Sequence, residues 1–350
     1  MNNQEAYRAT ILPVPEQRQR PLWSVMIPTY NCANYLRETL ASVLAQDLGT
    51  EVMQIEVVDD FSTKDDPEAV VQELGDGRVS FYRQPQNVGY IKNFNTCLQR
   101  ARAHLVHILH GDDCVLDGFY TKIQLLFENY PEIGGAFCRH IYIDEHGNRQ
   151  IISRLEELES GILSNHFERI FINNPIQASS MVVRRQVYER VGGFDNRFTC
   201  CCEDWEMWVR VALHYPVAYE VEPLAMYRIA RQGSLTKNSV RSGRYAQDVR
   251  KATQVAQSYL SNYFPVEVAN ELLNKSREAG ALGILELARQ LVDAGDIKAS
   301  MVQIREALKS GYSPKIIMRL IRVILKMALY QVKQTFTPPK SLQEISSVTK

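Results

Sequence analysis

Residues 107–114, HILHGDDC, put two adjacent carboxylates, Asp112 and Asp113, directly after a run that reads as a buried strand. Leu105 to Leu109 is apolar enough for an inner strand, and Gly111 permits a sharp exit from it. Two neighbouring carboxylates repel, and neither gains from apolar surroundings. The stretch therefore asks for a cation at this strand end, or for a helix that the pair caps.

Outward from it, the first half of the chain alternates strand and helix signals. WSVMIPTY (23–30), MQIEVVDD (53–60), VSFYRQ (79–84) and HLVHIL (104–109) read as strands. ANYLRETLASVLAQ (33–46), the stretch near Pro67 to Leu74, and IKNFNTCLQRARA (91–103) read as the helices between them. Strands separated by single helices predict a mostly parallel α/β sheet, in which ligands collect beyond the carboxyl ends of the strands. Pro28-Thr29-Tyr30-Asn31, Asp59-Asp60 and Asp112-Asp113 each follow a strand, so all three are expected on one rim. One such cluster is ordinarily a helix cap; three on one rim point to a site.

From about Gly134 to Ile229 the pattern is less regular, with strand-like GAFCRHIYID, SSMVVRR and VAYEVEPLAMYRI. Within it, EDWEMWVRVALHYP (203–216) reads as a helix, with Asp204 where an N-cap belongs. Beyond roughly Arg231 the chain turns helical, and a helix pair around Gly295 resembles one tetratricopeptide-type hairpin without a second copy.

Composition sets outer bounds. The 350 residues are 45% apolar and 23% charged with a formal net charge of zero, which suits a globular chain and gives no call for nucleic acid. No signal-peptide core and no run of eighteen uncharged apolar residues is present, so a cytoplasmic setting is expected. Seven cysteines, an odd number with Cys200, Cys201 and Cys202 contiguous, are no disulfide framework and read as small packing residues.

VMIPTYN, VVDDFS, NVGYIKNFN, LHGDD, VGGFD and CEDWEMWVR occur in the order and approximate spacing of family 2 glycosyltransferases with the GT-A fold. The resemblance covers about residues 23–236. It implies a Rossmann-like mixed sheet that binds a nucleotide-diphosphate sugar, a UDP-sugar being favoured, and an inverting, metal-dependent transfer to a glycan or lipid-linked acceptor of a cell-envelope or secreted polysaccharide. Residues 1–22 would then be an N-terminal extension, 237–335 a helical region and 336–350 a tail.

By this resemblance Asp113 is the ligand of a divalent cation, Mg²⁺ or Mn²⁺, with Asp112 nearer the ribose and sugar. Such hard cations prefer carboxylate oxygen and keep phosphate and water as remaining ligands. Asp60 accepts from the base, and Pro28, Thr29 and Tyr30 border base and ribose. Lys92 and Asn93 contact the nucleotide or support its loop. Asp204 is the base that deprotonates the acceptor, with Glu203 beside it; helix capping is the other use of Asp204.

Two departures from the family's spelling stand out. His110 replaces a frequent aspartate, and Ala230 a frequent histidine, leaving Arg228 or Arg231 for the diphosphate. The Gln-x-x-Arg-Trp signature of processive synthases is absent, which favours transfer of one sugar.

Two other classes compete with this reading. A catalytically silent sugar- or nucleotide-binding module would not need Asp60, Asp112, Asp113 and Asp204 together. A nucleotidyltransferase would need a Gly-rich basic loop after the first strand, where PTYNCANY stands. Finally, KIIMRLIRVILKMALYQVKQ (315–334) places Lys315, Arg319, Arg322, Lys326 and Lys333 along one helical stripe. Such a helix can lie on the inner face of an anionic membrane, or cover protein with its basic stripe in water.

Overall fold

The computed structural model of the chain describes residues 5–15, 19–229 and 235–336. In chain order the first part runs β1 (Trp23–Thr29), α1 (Ala33–Leu44), β2 (Met53–Asp59), α2 (Pro67–Gly75), β3 (Ser80–Arg83), α3 (Tyr90–Arg100) and β4 (Leu105–Ile108). There follow β5 (Cys114–Val115), α4 (Phe119–Asn129), β6 (Gly135–Ile143), β7 (Arg149–Ile152), β8 (Gly161–Ile162), α5 (His166–Asn173), β9 (Met181–Arg184), α6 (Arg185–Val191), α7 (Glu203–His214) and β10 (Val217–Arg228). The described remainder is helical: α8 (Leu235–Ser242), α9 (Arg244–Leu260), α10 (Val266–Asp293), α11 (Ile297–Leu308) and α12 (Pro314–Phe336).

The strands form one mixed sheet in the order β3-β2-β1-β4-β9-β6-β10-β5, with β7 on β6 and β8 on β10. β3, β2, β1 and β4 are mutually parallel, and β9 enters antiparallel between β4 and β6. β6 therefore runs in the direction of β4. Every residue of β1 and β2 is buried, as expected of inner strands covered on both faces. On one face Met26, Leu98, Phe137, Val183 and Trp208 share a core; on the other, Val25, Leu36, Leu40, Phe119 and Ile123 do. α2 begins where the sequence says it should: Asp66 accepts from Ala69 N at 3.1 Å, and Pro67 occupies the first turn.

α5 and α6 fall in the stretch that reads as irregular. α9 and the first turns of α10 share the core of α5 and α7, through Ala252, Val255, Leu260, Leu272 and Leu273. The helix pair around Gly295 is present as α10 and α11: Gly295 has φ +77°, and Asp296 caps α11 by accepting from Ala299 N at 3.1 Å. Described residues of the N-terminal extension are tied down, with Ile11 buried and Arg8 donating to Glu206 of α7 at 2.8 Å. Arg231, Ala230 and residues 337–350 lie outside the described residues.

Three cations of the C-terminal helix's basic stripe pair with acids of a neighbouring helix. Lys315 pairs with Glu278 at 3.0 Å, Arg319 with Glu286 at 2.8 Å and Lys326 with Asp293 at 2.5 Å, all three acids on α10. Ile316 and Val323 are buried in the α10–α11 core, while Met318, Ile321, Leu325, Leu329 and Val332 are exposed. The side chain of Lys333 is outside the described set. Among the described residues, no helix is long and apolar enough to cross a membrane.

Candidate active site

The ends of β1, β2 and β4 meet at one rim because their neighbours pair beyond the strands. Asp60 N donates to Thr29 O at 2.9 Å, and Gly111 N donates to Pro28 O at 3.1 Å. Glycine is required at 111: a Cβ there would stand 2.6 Å from Thr29 Cγ2. Asn31, in the left-handed region at φ 48°, accepts from Thr63 N and Lys64 N, both at 3.0 Å. It thereby ties the loop after β1 to the loop after β2.

This rim opens on a cavity of about 1620 Å³. Pro28, Thr29, Tyr30, Asp60, Asn93, Asp112, Glu203 and Asp204 all line it, on walls completed by α9 and α10 through Tyr245, Ala252 and Gly280. Lys92 does not. Its side chain is exposed and absent from the lining, so the expectation for Lys92 is corrected: on α3 it points to solvent while its neighbour Asn93 is buried. Asn93 supports the loop, donating to Val58 O at 2.8 Å and accepting from Gln84 at 3.1 Å.

Asp60 accepts from Val88 N at 2.7 Å, Gly89 N at 3.0 Å and the Asn87 amide at 3.1 Å. Burial lifts its carboxyl above the ordinary range, against the pull of the two N–H groups. A carboxylate offers about four lone-pair sites, so capacity remains for one further donor.

The two carboxylates of HILHGDDC part company. Asp112 faces the cavity, whereas Asp113 lies beneath it with 0% exposure. Arg228 N donates to Asp113 Oδ1 at 2.9 Å, and the Ser179 hydroxyl donates to Oδ2. Burial, and then the charge of Asp112, pushes the Asp113 carboxyl well above its usual range. Asp112 thus presents its oxygens to the cavity, while Asp113 sits directly beneath and ties the turn to Ser179 and Arg228. His110 stacks on Phe94 with ring centroids 5.0 Å apart, and its Nδ1 is 3.7 Å from Asp113 Oδ2. One ligand atom from each of His110, Asp112 and Asp113 lies within 4.8 Å of the others.

Arg228 is no free phosphate ligand. Its guanidinium donates to Glu38 at 2.6 Å, to Asp112 O at 2.9 Å and to Asp144 O at 3.0 Å, and it lies over the Tyr35 ring. The cation that lines the cavity from the β2 side is Lys64, in a stretch (FSTKDD) whose position after a strand is the signal that could have found it.

α7 presents the second acidic pair. Its N-cap is Cys202, at φ 71°, so Asp204 sits inside the first turn rather than at the cap; Asp204 Oδ1 accepts from Trp205 N at 2.7 Å. The helix N-terminus favours negative charge there. Burial alone still pushes the Asp204 carboxyl up, to about 6, and burial plus the charge of Asp204 takes Glu203 to about 8. Tyr90, unassigned from the sequence, donates to Glu203 Oε2 at 3.1 Å. The contiguous cysteines are more than packing: Cys201 and Cys202 line the cavity, and Asp248 of α9 fixes the loop before them, accepting from Thr199 N at 2.7 Å and Cys200 N at 2.8 Å.

Residues 24–192 match the family model described as glycosyl transferase family 2. An uncharacterised protein of Mycobacterium tuberculosis is 29% identical over 220 residues, covering 60% of this chain and 67% of its own. An uncharacterised glycosyltransferase of Methanocaldococcus jannaschii is 25% identical over 218 residues, covering 61% and 72%. The O-antigen biosynthesis protein RfbC of Myxococcus xanthus is 24% identical over 208 residues, covering 55% of this chain and 16% of that protein. Two solved structures share the fold. S. aureus TarS in complex with UDP-GlcNAc has TM-score 0.52 at 15% identity, over 83% of this chain and 93% of the other. Mannosyltransferase PcManGT of Pyrobaculum calidifontis, in complex with GDP-Man and Mn²⁺, has TM-score 0.54 at 18% identity, over 91% and 89%. Residues 24–192 thus carry a domain that matches glycosyltransferase family 2, and the chain has the GT-A fold of these solved glycosyltransferases with a helical C-terminal region.

Proposed function

We propose that the chain moves one sugar, with inversion, from a nucleotide-diphosphate sugar to an acceptor hydroxyl in this cavity. The observation that carries the proposal is that carboxylates from two separate elements, Asp112 after β4 and Glu203-Asp204 at the start of α7, face one space that also takes in Asp60 and the end of β1. Asp60 holds the base by its remaining lone pair, with Pro28, Thr29 and Tyr30 beside base and ribose. The complexes of TarS with UDP-GlcNAc and of PcManGT with GDP-Man support a nucleotide-sugar donor.

The donor set at the β4 end fits a divalent cation such as Mn²⁺ or Mg²⁺: carboxylate oxygens of Asp112 and Asp113 and an imidazole nitrogen of His110 within 4.8 Å of one another. Asp112 would hold it from the cavity side. When bound, such a cation neutralises the charge that develops on the departing diphosphate.

Asp204 and Glu203 divide the proton work. Burial raises the pKa of both carboxyls and the pair titrates together; the role of general base is assigned to Asp204, in the first turn of α7 and facing the cavity. Glu203, with Tyr90, orients the acceptor. The acceptor is a glycan or lipid-linked precursor of the cell envelope, a class suggested by the O-antigen relative. Contact with the inner membrane face would use the apolar stripe of α12, since three of its cations are engaged by α10.

Calorimetry with UDP-GlcNAc and GDP-mannose, with and without Mn²⁺, tests the proposal. Wild type binds at least one donor more tightly with Mn²⁺, and Asp112→Asn loses the Mn²⁺-dependent gain while keeping its melting temperature. Equal Mn²⁺ dependence in wild type and Asp112→Asn would remove Asp112 from the metal site.

A further inference from the structure

Metal-ligating groups converge a second time in the loop before α7. One ligand atom from each of Cys200, Cys201 and Asp248 lies within 4.8 Å of the others, and Cys202 Sγ is 3.4 Å from Cys201 Sγ. The carboxylate comes from another element, α9, 48 residues beyond Cys200. Successive side chains of an extended chain point to opposite sides. Here Cys202 has φ 71°, in the left-handed region, and the turn brings its sulfur beside that of Cys201. All three cysteines are free and line the cavity, Cys201 and Cys202 being half-buried, so a small ion reaches them from it.

The spacing suits a metal ion. Tetrahedral Zn²⁺ holds sulfur at about 2.3 Å and carboxylate oxygen at about 2.0–2.2 Å, which puts bound sulfurs roughly 3.8 Å apart and sulfur roughly 3.5 Å from oxygen. Cys201 and Cys202 Sγ are 3.4 Å apart, and Cys200 Sγ is 3.4 Å from Asp248 Oδ2. Within the trio the remaining separations, at most 4.8 Å, close by rotation about the cysteine Cα–Cβ bonds. The Cys200 thiol donates to Asp248 Oδ2, so a metal that displaces this proton takes up the same pair of atoms. Oδ2 also accepts from Thr199 N, Thr199 Oγ1 and Cys200 N. Those bonds fix the carboxylate in front of the thiols, as outer hydrogen bonds fix metal ligands. Oδ1, with Lys251 Nζ at 3.4 Å, keeps lone-pair capacity.

Ligand softness decides the ion. Thiolates select ions of the zinc class, whereas Mg²⁺ and Mn²⁺ take oxygen. The cavity therefore carries two unlike clusters, one rich in oxygen at the end of β4 and one rich in sulfur before α7.

We infer that Cys200, Cys201 and Asp248, with Cys202 beside them, form a binding site for a thiophilic divalent cation of the zinc class. The inference stands apart from the transferase reading. An ion held there ties α9 to the loop that leads into Glu203 and Asp204.

The test uses the tag-free full chain, reduced with a phosphine and saturated with Mn²⁺ so that the oxygen-rich cluster is filled. Cd²⁺, which reports thiolate ligation by its ultraviolet charge-transfer band, is titrated into wild type and four variants. These are Cys200→Ser/Cys201→Ser, Cys201→Ser, Asp248→Asn and Cys32→Ser, the last a cavity thiol outside the cluster. Wild type and Cys32→Ser develop the band with saturation at one equivalent, and the double variant does not. Cys201→Ser, at a half-buried position, and Asp248→Asn each bind at least roughly tenfold more weakly, a loss that even outer partners of a metal produce. Zn²⁺ raises the melting temperature of wild type and leaves that of the double variant unchanged. No band in wild type at one equivalent, an equal band in the double variant, or unchanged Cd²⁺ affinity in Cys201→Ser or Asp248→Asn overturns the inference.

Discussion

The acidic pairs show how far residue types alone reach. HILHGDDC and CEDW announce carboxylates at a strand end and a helix start, and Asp112, Glu203 and Asp204 of the two pairs do face one cavity. Which member faces it is not written locally. Asp113 is drawn inward by Ser179 and Arg228, partners 66 and 115 residues away, and Asp112 is left outward. At this scale Glu203 yields a stability prediction. Its folded pKa, raised to about 8 by burial and by Asp204, exceeds its ordinary value of 4.5. The folded state therefore holds a proton that the unfolded chain has released, and stability falls as pH rises from about 4.5 to 8. The pair titrates as a unit, so the steps belong to both carboxyls. Glu203→Gln cannot ionise and keeps an oxygen for Tyr90. Its melting temperature should exceed that of wild type by a few degrees, roughly 2–4 °C, at pH 8.5, with a smaller difference at pH 5. A difference that shrinks with rising pH would contradict the burial of this carboxyl.

At the scale of elements, strands and helices up to β4 were legible because apolar runs alternate with amphipathic ones. α5 and α6 were not, being only eight and seven residues long with few buried positions. α12 was legible as an amphipathic helix, but the sense of its stripe was not. A row of cations reads the same whether it meets lipid phosphate or acids on another helix, and here Glu278, Glu286 and Asp293 recur along α10 at matching heights. Arg319→Gln should therefore lower the melting temperature slightly rather than release the chain from vesicles. Ile321→Ser with Leu325→Ser should reduce sedimentation with neutral and anionic vesicles alike, since the exposed stripe is apolar. Vesicle binding that is lost with Arg319→Gln at low salt, and unaffected by the serine pair, would restore the electrostatic reading.

Across the whole molecule, the order of polar strand ends foretold the shared rim, and the sheet brings Thr29, Asp60 and Asp112 to it. The other wall was beyond the sequence. α9 and α10 close the cavity through small residues such as Ala252 and Gly280, and Asp248 of α9 holds the loop that leads into Glu203 and Asp204. The C-terminal helices thus shape the site as well as extend the chain. The central claim is that this closed space performs sugar transfer with Asp204 as the base. Its most direct test is nucleotide release from UDP-GlcNAc or GDP-mannose with Mn²⁺, measured beside donor affinity and melting temperature for wild type and Asp204→Asn. Asparagine keeps the size and the bond to Trp205 N but takes no proton. The account predicts turnover lowered by roughly 10²–10⁴-fold with donor affinity and melting temperature near wild type. Turnover within a few-fold of wild type would contradict it and pass the role to Glu203.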